Sequence, residues 1–275
     1  MGIALALASA LSYGVSDVLG GLAARRAAFM RVALVGQIGG LGAAALLLPA
    51  LPSVPLQGAD LVWGAGSGVG TGLAMAFLFR GIGRGAMSVV VPLSAVGGVA
   101  LPVLVSTAFL GERPPWPAWA GLLVALPALW LIGKGAEGAG PASRGAVCDG
   151  LAASGGIALQ YLCLAQADAA SGLWPVLSGR AAAIATILVA AAVLLRRTAA
   201  RDDAPRSPSV LALSVGAGVL AAYLFALRTE FITVTVVLSS LYPVVPVIVG
   251  LLFLGERLRR SQAAGLAAAV LIAVA

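Results

Sequence analysis

Apolar runs of about twenty residues follow one another along the whole chain, each closed by a charged residue or by a Pro/Gly cluster. A helix needs about 20 apolar residues to cross about 30 Å of hydrocarbon. The breaks divide the chain into ten such runs: 2–24, 32–51, 60–79, 86–109, 117–134, 147–167, 174–195, 209–227, 231–254 and 261–275. The pattern predicts an all-α integral membrane protein with ten transmembrane helices. The first run lacks the basic leader of a signal peptide and continues to Arg25, so it is expected to be a retained span.

Composition supports this class. The chain is 61% hydrophobic and 10% charged, where a soluble domain carries about 25% charged residues. The net charge of +7 does not point to nucleic acid, because the basic residues sit singly between apolar runs and read as loop anchors. The bilayer is the expected partner. There are no histidines, and Cys148 and Cys163 lie about 22 Å apart if they share one helix, which excludes a disulfide between them. No metal site or cofactor is expected.

Alternating the ten spans places fourteen Lys/Arg on one side, among them Arg25, Arg31, Arg80, Arg84, Arg144, Arg197 and Arg260. The opposite side receives two, Arg113 and Arg228. By the positive-inside rule the richer side is cytoplasmic and both termini lie outside.

Duplication organises the pattern further. Phe109–Arg113 and Phe253–Arg257 are both FLGER. Pro102 matches Pro246 and Gly121 matches Gly265 at the same offset of 144, while Leu93-Ser94 matches Leu238-Ser239 and Ala8-Ser9 matches Ala153-Ser154 at 145. The chain therefore reads as a first five-helix repeat over 1–135, a linker over 136–145 and a second repeat over 146–275. Five is odd, so the second repeat enters the membrane from the opposite side and the two are inverted. Glu112 then falls outside and Glu256 in the cytoplasm. One chain holds a complete inverted pair, so a monomer suffices.

The tract LSSLYPVVPVIVGLLFLGERL (238–258), with its counterpart around 93–113, resembles the EamA family of the drug/metabolite transporter superfamily, and within it the exporters of aromatic amino acids. The resemblance spans nearly the whole chain. It is most specific at the ninth span, where Pro243 stands at the family's proline; the first copy has Val99 there. The resemblance implies a secondary exporter of amino acids, other metabolites or drugs in a bacterial inner membrane. It also implies that spans 1–4 and 6–9 surround a central cavity.

Prolines at matched depth mark the expected moving parts. Pro102 and Pro246 each lie ten residues before a FLGER glutamate, about 15 Å along a helix and hence near mid-membrane. With Pro243 they are candidate hinges, since each removes a backbone donor and frees a carbonyl one turn earlier. Glu112 and Glu256, at the span ends, are candidate gate elements, and the glycine before each is suited to capping a helix.

Two charges inside spans are candidate ligands. Asp17 lies seven residues before the end of the first span and Arg180 six residues into the seventh. Intramembrane charges are costly and face protein or water, unless they reach the nearer surface. Arg180 could hold a substrate carboxylate and Asp17 an ammonium or a coupling proton, although their depths differ by about 11 Å. Gly98 would admit close approach to backbone. Tyr13, Ser94, Gln160, Tyr161, Tyr223, Ser239 and Tyr242 would complete an amphipathic pocket. The glycine run over 64–72 lacks the Lys-Ser/Thr of a phosphate loop and predicts close helix packing instead.

The function expected is export of small organic solutes, amino acids of the aromatic or neutral kind first, by alternating access. Export of drugs or lipophilic cations is the alternative. An integral-membrane enzyme acting on a lipid-linked substrate is more distant, because the chain has no histidine and its deep charges are isolated.

Overall fold

The structure, a computed structural model, describes residues 17–23, 28–50, 57–84, 87–109 and 144–197, together with isolated positions at 15, 111, 116, 119, 123 and 127. Its regular elements are helical throughout the described residues. After the helical residues 17–23 come α1 (Phe29–Leu47), α2 (Gly58–Arg84), α3 (Met87–Phe109), α4 (Arg144–Leu164) and α5 (Trp174–Arg197), with 3-10 turns at Leu48–Ala50 and Ala169–Ser171. All five long helices contain a stretch long and apolar enough to cross a membrane. They correspond to the second, third, fourth, sixth and seventh predicted spans. Tyr13, Glu112, Tyr223, Ser239, Tyr242, Pro243, Pro246 and Glu256 lie outside the described residues.

Local chemistry sets the helix ends. α1 gives way to a 3-10 turn containing Pro49, which has no N–H to continue the helix. α3 remains one α-helix through Pro92 and Pro102. It stops two residues before Gly111, which adopts φ +68°. That left-handed conformation is the usual helix stop and favours glycine. The glycine of the first FLGER is therefore a helix terminator. α2 carries Asp60 in its first turn and Arg84 in its last, each opposite in sign to the helix dipole end beside it.

One expectation needs correction. The third span was expected to close at Arg80, the first charge after the apolar run, yet α2 continues to Arg84. Its 27 residues extend about 40 Å. The helix carries the charge because Arg80 is paired there with a buried carboxylate, Asp149.

Glycine decides the packing. Gly64, Gly68 and Gly72 of α2 face Pro175, Gly179 and Ala183 of α5, so these two helices run parallel. Gly66 and Gly70, on another face of α2, meet Cys163 and Gly156 of α4, which runs antiparallel to α2. A Cβ at Gly70 would stand 2.5 Å from the backbone nitrogen of Gln160 and 2.6 Å from the carbonyl oxygen of Gly156. The two glycine faces read in the sequence are thus two helix seams, where small residues let backbones approach.

α3 lies against α4 and runs parallel to it, with Leu93 at Gly150 and Gly98 at Ile157. This is the direction that alternate crossings require of a fourth and a sixth span. α1 packs on α5 and on α2. The helical residues 17–23 cover the far end of α2, Gly20 meeting Phe79 and Gly21 meeting Ile82 and Met87. Residues from both sequence halves, including Leu78, Phe79, Val90, Ala146, Ala153 and Ile187, share one apolar core. α2, from the first half, is wedged between two helices of the second.

Candidate functional site

Among the described residues, the buried polar side chains collect at three levels of the bundle. The ends of α2 and α5 and the starts of α1, α3 and α4 share one end, which carries Arg31, Arg84 and Arg144. There the Asp149 carboxylate is buried and receives Arg80 through Nε at 2.9 Å and Nη2 at 2.5 Å on one oxygen, and Arg84 Nη1 at 3.2 Å on the other. The Arg80 guanidinium also stacks on Phe77, 4.7 Å from its ring centre. Asp149 falls within the predicted sixth span, in a helix long and apolar enough to cross a membrane, and so joins Asp17 and Arg180 as a charge inside a predicted span. It stands near the start of its helix, and its burial comes from packing against α2.

At the opposite end, the Asp60 carboxylate accepts the Asp168 N–H at 2.9 Å and the Ser171 hydroxyl. Asp168 in turn accepts the Ala170 N–H at 2.8 Å. These bonds tie the α4–α5 connection onto the start of α2. Both ends are therefore fastened by a buried aspartate of one sequence half acting on the other half.

The middle level holds the arrangement of most chemical interest. Arg180 Nη1 donates to Gln37 Oε1 at 2.8 Å, joining α5 to α1. Gln37 has no exposed surface and stands one residue from the centre of the 19-residue α1. A guanidinium presents only donors, so the amide oxygen must face Arg180. The amide nitrogen then points the other way, to Met75 Sδ of α2. Arg180 thus reaches inward across the bundle instead of toward the nearer surface, the outcome the sequence left open. The structure brings in Gln37, whose neutral side chain does not stand out in the sequence as a charge would. A lone amide six residues into the apolar run 32–51 is the signal in the sequence.

The described candidates divide around this bridge. Gly20 faces Phe79 and Gly21 faces Ile82, so Asp17, one turn earlier, lies at about the level of Met75. It is half-buried. Arg180 is connected to the Met75 level through Gln37, which accepts from Arg180 and turns its amide nitrogen to Met75.

The others are used differently. Ser94 is fully buried and donates to the Val91 carbonyl of its own helix at 2.8 Å. Gly98 meets Ile157 and serves the α3–α4 seam. Tyr161 is 38% exposed on α4, and Gln160 places its backbone against Gly70. Pro102 is half-buried within an unbroken helix. Serine and threonine hydroxyls along the apolar helices mostly bond back to their own backbone, as at Thr71, Thr107 and Thr186, which satisfies them away from water. Ser154 adds a second contact, to the Leu93 carbonyl across the α3–α4 seam at 3.1 Å.

No protein-family model matches the chain, and no curated protein does. Seventeen solved chains resemble it. One of them, described only as "Crystal structure of protein", is 20% identical with a TM-score of 0.61, over 99% of this chain and 94% of that one. The likeness shows a shared fold over nearly the full length of both chains.

Proposed function

We propose that this protein is a secondary transporter of the EamA type that exports small organic solutes, amino acids foremost, by alternating access across a bacterial inner membrane. The observation that carries the reading is the Arg180–Gln37 bridge. Offsets of 145 on either side of this region make Val35 the counterpart of Arg180 and Ala182 the counterpart of Gln37. The bridge thus lies within two residues of its own image. In an inverted pair, that coincidence occurs where the pseudo-two-fold axis crosses, at mid-membrane between the repeats, which is where transporters of this architecture bind their substrates.

A guanidinium held at that depth suits a carboxylate, which it can meet with two parallel hydrogen bonds. Asp17, at a neighbouring level, suits an ammonium or a coupling proton. The expected ten-span inverted architecture and the outward-facing termini belong to the same reading, supported by the gathering of Arg31, Arg84 and Arg144 at one end of the bundle.

The test is counterflow in proteoliposomes against radiolabelled amino acids and organic cations. Arg180→Ala removes both hydrogen bonds to the carboxylate and is expected to raise the KM for amino acids by at least about tenfold to a hundredfold, the amount one charge-assisted hydrogen bond supplies, and to spare cations. Equal losses for both classes would count against the carboxylate role.

A further inference from the structure

We infer that Gln37 is the positioning residue that sets the site's preference for a carboxylate. It does so by fixing the plane of the Arg180 guanidinium without adding negative charge. The inference rests on the transporter reading above and deepens it.

Three observations combine. Gln37 is completely enclosed, so its amide has no water to turn toward. Its oxygen is committed to Arg180 Nη1 and its nitrogen to Met75 Sδ, so both ends of the amide are oriented by named partners. The three residues come from α1, α2 and α5, so helices of both sequence halves meet in one chain of contacts. An arginine side chain has several soft torsions, and a bidentate grip on a carboxylate requires its plane to be set beforehand. An amide performs that task as a neutral acceptor. A glutamate of the same shape would perform it as an anion and compete with the substrate for the same cation. An apolar residue of similar volume would fill the space and remove this one orienting acceptor.

Phenylalanine and phenethylamine, which differ only by the carboxylate, separate these roles. Full-length protein and its Gln37→Glu, Gln37→Met and Arg180→Lys variants would be reconstituted and assayed by counterflow of each labelled compound, after gel filtration shows monodisperse protein. The wild type is expected to prefer phenylalanine. Gln37→Glu should raise the phenylalanine KM by about tenfold or more, with kcat little changed, and leave the phenethylamine KM unchanged or lower it. Gln37→Met should raise the phenylalanine KM by a smaller factor, again sparing phenethylamine. Arg180→Lys, which keeps the charge and loses the fork, should resemble Gln37→Met.

Parallel losses for the two compounds in both Gln37 variants, or no loss in either, would overturn the inference and leave the transporter reading standing. So would a wild type that moves phenethylamine and rejects phenylalanine. A wild type that moves neither compound would overturn the inference, and one that moves no member of the wider amino-acid and cation panel would overturn the transporter reading as well.

Discussion

The glycine seam between α2 and α4 gives the sharpest quantitative expectation. Gly70→Ala would place a methyl carbon 2.5 Å from the Gln160 nitrogen and 2.6 Å from the Gly156 oxygen, where relaxed contacts are about 3.5–4.0 Å. Both obstacles are backbone atoms of a helix, so no rotamer change relieves them and the helices must part by about 1 Å. A gap of that size forfeits about a quarter to a half of each dispersion well along the seam. The reciprocal side of the seam is equally close, since a Cβ at Gly156 would stand 2.6 Å from the Ala74 nitrogen and 2.7 Å from the Gly70 oxygen.

Overpacking of this kind costs about 1–3 kcal/mol, and the better helix propensity of alanine returns up to about 1 kcal/mol. The net expectation is a loss of about 1–2 kcal/mol. At about 2–4 °C per kcal/mol, thermal unfolding in detergent, followed by tryptophan fluorescence, should fall by several degrees. Gly155 is the internal control, because a Cβ there meets nothing within 4 Å. Gly155→Ala should gain about 0.5–1 kcal/mol from propensity alone. A Gly70→Ala protein as stable as Gly155→Ala would refute the idea that this seam is set by backbone contact.

Other expectations follow from the two ends of the bundle. Asp149→Ala leaves two guanidinium groups against a buried site and should cost about 3 kcal/mol. Arg84→Ala, whose side chain is 54% exposed, should cost under about 1 kcal/mol; chemical denaturation in mild detergent would compare them. Asp60→Ala removes the acceptor for the Asp168 N–H and the Ser171 hydroxyl, a loss of about 1–3 kcal/mol, and limited proteolysis should cut faster within 165–173. Gly111→Ala must adopt φ +68° with no neighbour to relieve or oppose it, so it should cost about 1–2 kcal/mol. Gly111→Asn should recover part of that in the same thermal assay, because asparagine tolerates the left-handed region.

Much of this architecture is written locally. The run lengths of apolar residues are enough to locate all five described helices to within a few positions, because crossing hydrocarbon demands both length and internal backbone bonding. The glycines at 64, 66, 68, 70 and 72 announce two smooth faces on one helix through helical geometry alone. The terminator role of Gly111 is likewise visible in the string that contains it. Arg180 stands out because a charge in an apolar run is costly wherever its partner lies.

What tertiary structure decides is identity of partners. Nothing in 58–84 says that one glycine face will meet α4 and the other α5, since any close-packing helix would satisfy them equally. The choice depends on contacts more than eighty residues away. Asp149 looks like a span-end charge until Arg80, 69 residues away, is brought beside it. Asp60 needs a loop 108 residues on before its burial makes sense. Gln37 is the clearest case. A neutral amide is cheap enough to pass unnoticed in a sequence, yet once it is enclosed both ends of the group must find partners. Arg180, 143 residues away, and Met75 are those partners, and only the folded bundle brings them together.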